Sequence, residues 1–267
     1  MASRVVDGWP LVVAANRDER LDRPAAPVGQ LAPGVVAGRD LLAGGTWLAV
    51  GDNGVVAGLT NQPAPAGRDP AKRSRGEIPL ALTGGGAAGE GAAGGDAASA
   101  VAAFEATYEP GRYNPCWVLV GDRRSLFYLD LTAADRLGVQ ELPPGVHVLE
   151  NRALPAPSPK VDRVRTLLGL AAGGGPGGAG SGSPAAGDPA TGPWTTEGLR
   201  VVLADHTVTD PDAADPRRRA ASACCVHTDG YGTRSAMVVR VPSAGRPEVW
   251  AADGPPCTTP LVRVAGG

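Results

Sequence analysis

Two polar stretches of the chain carry residue types that can assist acyl-transfer chemistry. Asn16-Arg17-Asp18-Glu19 directly follows the apolar run 9–15, and four such residues form either a solvated turn or the edge of a site. Arg234 lies in Tyr231-Gly-Thr-Arg-Ser235, where a guanidinium can bind a carboxylate or lower the pKa of a thiol. The alternative for Arg234 is a cation on an edge strand.

Two asparagines follow predicted strands and offer amide groups. Asn61 ends the stretch Leu59-Thr60-Asn61, and Asn151 follows the strand predicted over 145–149. An amide N–H at such a position can stabilise an oxyanion. Asparagine is also a common turn residue, so each of the two has a purely structural alternative.

The cysteines favour a structural interpretation. Cys116, Cys224, Cys225 and Cys257 are too few for a disulfide scaffold, and no CxxC pair is present. Cys224-Cys225-Val226-His227 suggests a metal site or a thiolate–imidazole pair. However, adjacent residues of a strand point to opposite faces, so buried apolar cysteine is the preferred interpretation. His147 and His206 show no partner pattern, and the sequence predicts neither a metal nor a cofactor.

The elements that must position these residues are mostly short strands. Residues 46–50 and 55–60 flank Gly51-Asp-Asn-Gly54, a strong hairpin signal because Asn-Gly adopts positive φ readily. Further strands are predicted over 117–120 with 125–130, 145–149, and 235–241 with 248–251. Helices are predicted over 78–83, 97–107, 161–170 and 197–204. Hairpins with grouped helices indicate an α+β fold, specifically a two-sheet sandwich covered by helices.

Composition places these elements in one domain. The chain has 267 residues, including 39 Gly and 26 Pro, and is 43% hydrophobic, which is enough apolar material to exclude a fully disordered chain. Residues 84–96 and 171–193 are of low complexity and are predicted to be flexible loop insertions within a single domain, 1–267.

Charge and hydropathy exclude several classes of partner. The net charge of −2 lacks the basic surplus of a nucleic-acid binder. No apolar run reaches the roughly 18–20 residues of a membrane span, and no signal peptide is recognised at Met1. The sequence therefore predicts a soluble cytoplasmic protein and leaves its oligomeric state open.

Several of these pieces occur together in one known family. The chain resembles the NRDE proteins, the transport and Golgi organization protein 2 family, and the matching stretches occur in family order across nearly the whole chain. They are Ala14-Ala-Asn-Arg-Asp-Glu19 with Arg23-Pro24, Gly44-Gly-Thr-Trp-Leu48, Leu59-Thr-Asn61, Ser74-Arg-Gly76, Tyr113-Asn-Pro115 with Gly121-Asp122, Pro144-Gly-Val-His-Val-Leu149 with Asn151, and Tyr231-Gly-Thr-Arg-Ser235.

The resemblance implies a fold and a site. The family is similar to N-terminal nucleophile hydrolases, which have a four-layer αββα sandwich, and to their bile-salt hydrolase and penicillin V acylase group. By that resemblance, Arg17 would hold the nucleophile and depress its pKa, and Asp18 (or Glu19) would orient its amine. Asn61 and Asn151 would polarise the substrate carbonyl and the oxyanion, and Arg234 would complete the electrostatics.

The sequence departs from the family pattern at the nucleophile. Family members usually start Met-Cys-Thr, whereas this sequence starts Met1-Ala2-Ser3 and has no cysteine before Cys116. One hypothesis is that the start is assigned too late, by roughly six residues. With its cysteine restored, the protein would be a cysteine-type amide hydrolase or acyltransferase that acts on a small acylated substrate. The alternative is a natural loss of the nucleophile, which leaves a non-catalytic carrier of haem, acyl-CoA or lipid. An adaptor role in secretion, implied by the family name, is the third possibility.

Overall fold

The structure is a computed structural model that describes residues 1–63, 67–85, 95–133, 135–154, 156–170 and 192–266. Strands are its main component. They are β1 (Ala2–Val6), β2 (Trp9–Arg20), β3 (Ala25–Ala32), β4 (Val35–Asp40), β5 (Leu48–Gly51), β6 (Val56–Asn61), β7 (Cys116–Gly121), β8 (Leu126–Asp130), β9 (Gly138–Glu141), β10 (Gly145–Val146), β11 (His227–Thr228), β12 (Tyr231–Val241), β13 (Glu248–Ala252) and β14 (Val262–Ala265).

Short helices accompany the strands, and side-chain caps begin most of them. They are α1 (Glu77–Thr83), α2 (Ala97–Ala106), α3 (Pro159–Leu167), α4 (Thr196–Leu203) and α5 (Pro216–Ala221). The carboxylate of Asp96 accepts the Ser99 N–H at the start of α2, and Thr195 caps α4 in the same way. None of the helices among the described residues has both the length and the apolar character needed to cross a bilayer.

The strands form two antiparallel sheets. The first has the order β10-β1-β2-β12-β13-β14, with β11 paired to β12, and the second runs β3-β4-β5-β6-β7-β8-β9. Apolar side chains of the two sheets meet in a central core that includes Leu11, Val13, Leu48, Val56 and Met237.

Helices cover both outer faces. Leu199 and Val202 of α4 pack on Val12 and Val238 of the first sheet. On the far side, Ile78 of α1 and Val101 of α2 join a core of second-sheet residues. The α+β fold and the four-layer αββα sandwich expected from the sequence are thereby confirmed.

The predicted hairpins are present with small shifts of their ends. β5 and β6 pair with Leu48 opposite Gly58, and Gly54 takes φ 92° in the turn between them. The β7–β8 and β12–β13 hairpins also form. Four of the helices lie within a few residues of their predicted bounds, while α5 was not predicted.

The prediction was wrong about the place of the polar stretch 16–19. It does not follow the strand but lies inside it, because β2 continues to Arg20 and pairs with β12 from Leu11, opposite Val241, to Arg20, opposite Tyr231. Main-chain hydrogen bonds hold a central strand whatever its side chains are, so polar residues do not end it.

Other differences arise at the sheet edges. The strand predicted over 145–149 ends at Val146, so Asn151 lies in the following loop rather than at a strand end. β3 and β4 were missed because their Ala-, Gly- and Pro-rich sequences have low β propensity, and pairing alone makes them strands. Most of the predicted insertions 84–96 and 171–193 lie outside the described residues.

Candidate active site between the two sheets

Arg17 points into the space between the sheets. Along β2, Leu11, Val13 and Ala15 contribute to the central core, and Arg17 follows them on the same face because side chains alternate along a strand. Its side chain is only 7% exposed. A buried guanidinium requires a partner of opposite charge.

Asp40, at the end of β4 in the opposite sheet, is that partner. Its Oδ2 accepts a hydrogen bond from Arg17 Nη2 at 3.1 Å and another from Arg23 Nε at 2.6 Å. Its Oδ1 accepts the backbone N–H groups of Leu42 and Ala43 at 3.0 and 2.8 Å. One carboxylate therefore joins the two sheets through two arginines, and its own orientation is set by the backbone.

The electrostatics of this group favour the charged form of the carboxylate. Burial raises the pKa of Asp40, but the hydrogen bond from Arg23, the Ala43 N–H and the two guanidinium charges outweigh burial, so the net pKa is lowered. Burial is also the main influence on Arg17, whose pKa is lowered, and Asp40 and Glu19 oppose that shift. Arg17 stays a cation at neutral pH, since an arginine side chain is effectively always protonated in proteins.

Trp47 supports Arg17 from the second sheet. The guanidinium carbon of Arg17 lies 4.7 Å from the centroid of the Trp47 ring, a cation–π arrangement. The ring in turn packs over Gly38 on β4, where an added Cβ would lie 2.2 Å from Trp47 Cη2. Glycine at position 38 therefore makes room for the ring that holds Arg17.

We expect Gly38→Ala to lower the free energy of unfolding by about 1–3 kcal/mol, the usual effect of overpacking a filled site. Urea unfolding followed by tryptophan fluorescence measures it. Gly29→Ala on β3 is the matched control, because a Cβ at Gly29 meets nothing within 4 Å. Equal effects of the two substitutions would contradict the packing argument.

The segment that carries Trp47 is itself fixed by a close backbone contact. The N–H of Thr46 donates to the carbonyl of Gly76 at 2.9 Å, and a Cβ on Gly45 would lie 2.5 Å from the carbonyl carbon of Gly76. The stretches 44–48 and 74–76, which were separate motifs in the sequence, are thus two sides of one contact.

Arg234 lies at an irregularity of β12. Thr233 is opposite Asp18 and Ser235 is opposite Arg17, so Arg234 is the extra residue of a bulge. Its Nη1 donates to the carbonyls of Arg20, Leu21 and Arg23 at 3.1, 2.6 and 3.0 Å. Arg234 therefore holds the β2–β3 connection that carries Arg23 to Asp40.

A shallow pocket opens beside Arg17. We call it the Arg17 pocket, and its lining includes Arg17, Pro27, Trp47, Arg234, Ser235 and Asp253. The hydroxyl of Ser235 is buried and has no hydrogen-bond partner among the described residues. The pocket thus combines two guanidinium groups with an unsatisfied hydroxyl, a combination suited to an anionic or carbonyl group.

Asp18 lies on the other face of β2. Its Oδ1 accepts a hydrogen bond from Thr233 Oγ1 at 2.6 Å, and burial raises its pKa against the opposing influences of Lys160, Thr233 and His227. Asp18 faces the helix layer and not the Arg17 side. Glu19 does share the face of Arg17 and pairs with Arg23 at 3.5 Å.

Asn61 and Asn151 meet each other. The backbone N–H of Asn61, at the end of β6, donates to Asn151 Oδ1 at 3.2 Å, and Thr60 Oγ1 donates to the Glu150 carbonyl at 2.9 Å. Trp47 links this pair towards Arg17, since its carbonyl accepts the N–H of Leu59 at 2.9 Å. Within the described part of the chain, no hydrogen bond joins either asparagine to Arg17.

The residues of this site come from stretches spread along most of the chain. A comparison with models of known families accounts for the order of these stretches in the sequence. The profile of the Transport and Golgi organisation 2 family matches residues 2–251. The chain belongs to this family. No curated protein matches the chain.

Among solved structures, penicillin V acylase from Agrobacterium tumefaciens is similar to this Transport and Golgi organisation 2 family member. The TM-score is 0.40 with 12% sequence identity, over 94% of this chain and 90% of that chain. At this level the likeness assigns a role to no residue.

Sequence reasoning missed the residue that organises this site. Asp40 stands in a stretch without a motif. The pairing of β4 with β3, which sets Asp40 opposite Ala25, and the packing of the two sheets bring it near β2. Arg23 and Trp47 did lie in family motifs, but without a role. Among the described residues, the group of side chains that could hold a metal is not in the Arg17 pocket but consists of His206, Cys225, His227 and Cys257.

Proposed function

We propose that this chain is an amide hydrolase or acyltransferase of the N-terminal nucleophile type, with its site in the Arg17 pocket. The observation that supports it most is the buried Arg17, which Asp40 and Trp47 fix between the sheets. It opens to a pocket in which the Ser235 hydroxyl has no hydrogen-bond partner among the described residues. A preorganised cation of this kind stabilises a thiolate and the negative charge of a tetrahedral intermediate.

The register of β1 indicates where a nucleophile would come from. Ala2 lies opposite Val12 and Ser3 opposite Leu11. A strand that continued β1 before Met1 would place its fourth added residue opposite Arg17. Because side chains alternate, that residue would share the inter-sheet face of Arg17. We therefore place the nucleophilic cysteine on such a continuation of β1.

The residues of the site then take distinct roles. Arg17 lowers the pKa of the cysteine thiol, and Asp40 is a positioning residue that acts through Arg17. Glu19, rather than Asp18, is on the correct face to orient the α-amino group. Asn151 accepts the Asn61 N–H through its oxygen, so its amide NH2 is the group that would donate to an oxyanion. Arg234 positions the Arg23 segment.

The proposed reaction passes through a thioester. The thiolate attacks the carbonyl carbon of an amide, and the C–N bond breaks as the amine departs with a proton from the α-ammonium group. Water, or an acceptor amine or alcohol, then attacks the thioester carbonyl and gives its proton to the α-amine as the thiolate leaves. An α-amine with an ordinary pKa of about 7.7–8.0 suits this exchange.

The first test is intact-mass and N-terminal analysis of the protein made from its native locus. We expect a chain several residues longer that begins with cysteine after Met removal.

The thiol of that cysteine should react with iodoacetamide at pH 7 at least about tenfold faster than free cysteine, because each unit of pKa lowering raises the thiolate fraction about tenfold. Arg17→Gln should remove that advantage, whereas Arg20→Gln on the exposed side of the strand end should keep it. A thiol that reacts no faster than free cysteine would contradict the proposal.

A carrier of haem, acyl-CoA or lipid is the second candidate. It is favoured because no cysteine lines the Arg17 pocket among the described residues. Cys116 lies in the outer core of the second sheet, and Cys225 and Cys257 lie together elsewhere. A mature N-terminus at Met1 or Ala2 would favour this function. Titration with haem and with an acyl-CoA tests it, and the absence of saturable binding would exclude it.

A further inference from the structure

Four side chains with metal-ligating atoms converge outside the Arg17 pocket. His206 follows α4, Cys225 precedes β11, His227 is on β11, and Cys257 lies in the connection from β13 to β14. One ligand atom from each lies within 4.8 Å of all the others. Residues up to 51 positions apart in the sequence thus meet at one point.

The distances within this group match a tetrahedral ion. The two sulfur atoms of Cys225 and Cys257 are 3.7 Å apart, and His227 Nε2 lies 3.5 Å from Cys225 Sγ and 3.3 Å from Cys257 Sγ. Zinc bonds of about 2.3 Å to sulfur and 2.0–2.1 Å to nitrogen give tetrahedral edges of about 3.8 Å between sulfurs and about 3.6 Å between sulfur and nitrogen. The three distances fall close to these edges.

The backbone orients the fourth member. His206 Nδ1 donates to the carbonyl of Cys225 at 3.2 Å, and this tautomer leaves the lone pair on Nε2 for a metal. A hydrogen bond from the second ring nitrogen to a backbone carbonyl is the usual support of a histidine ligand. The Cys225 N–H in turn donates to the carbonyl of Asp205 at 2.9 Å, which ties the two ligand segments together.

The donor set indicates the ion and its role. Two thiolates with two imidazoles suit zinc, and four protein ligands leave no open position, as in structural zinc sites. A disulfide between Cys225 and Cys257 would use the two sulfurs but would leave the convergence of both imidazoles without a purpose. Adjacent residues of a strand point to opposite faces, but this does not count against the group, because it includes Cys225 and not Cys224.

We propose that His206, Cys225, His227 and Cys257 bind one structural zinc ion. The ion fastens the segment after α4 and the β13–β14 connection to β11, which pairs with β12. This fixes the end of the first sheet where Thr233 Oγ1 holds Asp18 and accepts the N–H of Val226. The site is separate from the Arg17 pocket and does not depend on the proposed catalysis.

The experiment measures metal content by plasma mass spectrometry on the full chain, purified under reducing conditions from cells grown with added zinc. We expect one zinc per chain in the unaltered protein and at least a tenfold loss in Cys257→Ser and in His206→Gln. Cys224→Ala is the matched control, with a neighbouring buried cysteine removed, and should keep its zinc. Chelation should lower the Tm of the unaltered protein and of Cys224→Ala.

Cobalt gives a readout on the unaltered protein, which does not depend on the stability of any variant. Co²⁺ added to the metal-free protein should produce thiolate-to-cobalt charge-transfer absorption and intense visible bands typical of tetrahedral coordination, both absent in Cys257→Ser. Protein without stoichiometric zinc and without these cobalt bands would overturn the proposal. So would a Cys225–Cys257 disulfide found by mass spectrometry after alkylation of the protein in intact cells, or iron or copper in place of zinc.

Discussion

Asp40→Asn is expected to lower the free energy of unfolding by about 3 kcal/mol. Asparagine keeps the shape of the side chain and can still accept the N–H groups of Leu42 and Ala43 through Oδ1. Its NH2 group takes the place of Oδ2, so the substitution removes the negative charge together with the acceptor of the Arg17 and Arg23 hydrogen bonds. Without the Asp40 carboxylate, Arg17 is a buried cation that has lost its ion-pair partner. Removal of one member of a buried pair commonly costs about 3–5 kcal/mol. The lower end applies because Asp40 retains 14% exposure.

Urea unfolding at pH 7 measures this effect, and Asp22→Asn is the matched control. Asp22 pairs with Arg20, but both side chains are exposed, and such pairs contribute little. We expect the control to leave the free energy of unfolding essentially unchanged. Because the pKa of Asp40 is lowered, its contribution in the unaltered protein is present above a pH of about 3.8 and is lost only as pH falls below that value. Equal effects of the two variants would contradict the central role of Asp40.

The chain that begins at Met1 is expected to lose up to about 4 kcal/mol of stability between pH 8 and pH 5 through its amino group. That group donates to the carbonyl of His147 at 2.7 Å, directly beyond the last pair of the β1–β10 ladder, Ala2 with Val146. Burial lowers its pKa from 8.0 to about 5, and each pKa unit corresponds to 1.36 kcal/mol. The unfolded chain binds the proton below pH 8 while the folded chain does so only near pH 5. Stability is therefore complete above pH 8 and falls as pH drops to 5.

Comparison with the N-acetylated chain isolates this effect. Acetylation removes the charge but keeps an N–H that can donate to His147, so the difference in unfolding free energy between the two forms should grow as pH is lowered from 8 to 5. The pKa of the His147 ring is also lowered, chiefly by burial and in part by the nearby charge of the amino group. His147 therefore adds a fall of the same sign, which is smaller in the acetylated form. A difference independent of pH would contradict the burial of the amine.

Local patterns in the sequence predicted much of the fold. Asn53-Gly54 between two mostly apolar runs predicted the β5–β6 hairpin, because its signal is contained within a few neighbouring residues. Pro159 likewise predicted the start of α3. Strands without such signals, including β3 and β4, exist only because another strand pairs with them, and pairing partners are not encoded locally.

The candidate site divides in the same way. By itself, the sequence determined the α+β class and the hairpins. Through its ordered motifs, which contain Arg17, Asn61, Asn151 and Arg234, it also determined the family of the chain. The tertiary structure alone decided that Asp40 holds Arg17, that Asp18 and Arg17 lie on opposite faces of one strand, and that His206, Cys225, His227 and Cys257 meet. The physical reason is that charge pairing and metal geometry depend on distances between side chains in space, and these distances are set by sheet register and layer packing between segments far apart in the sequence.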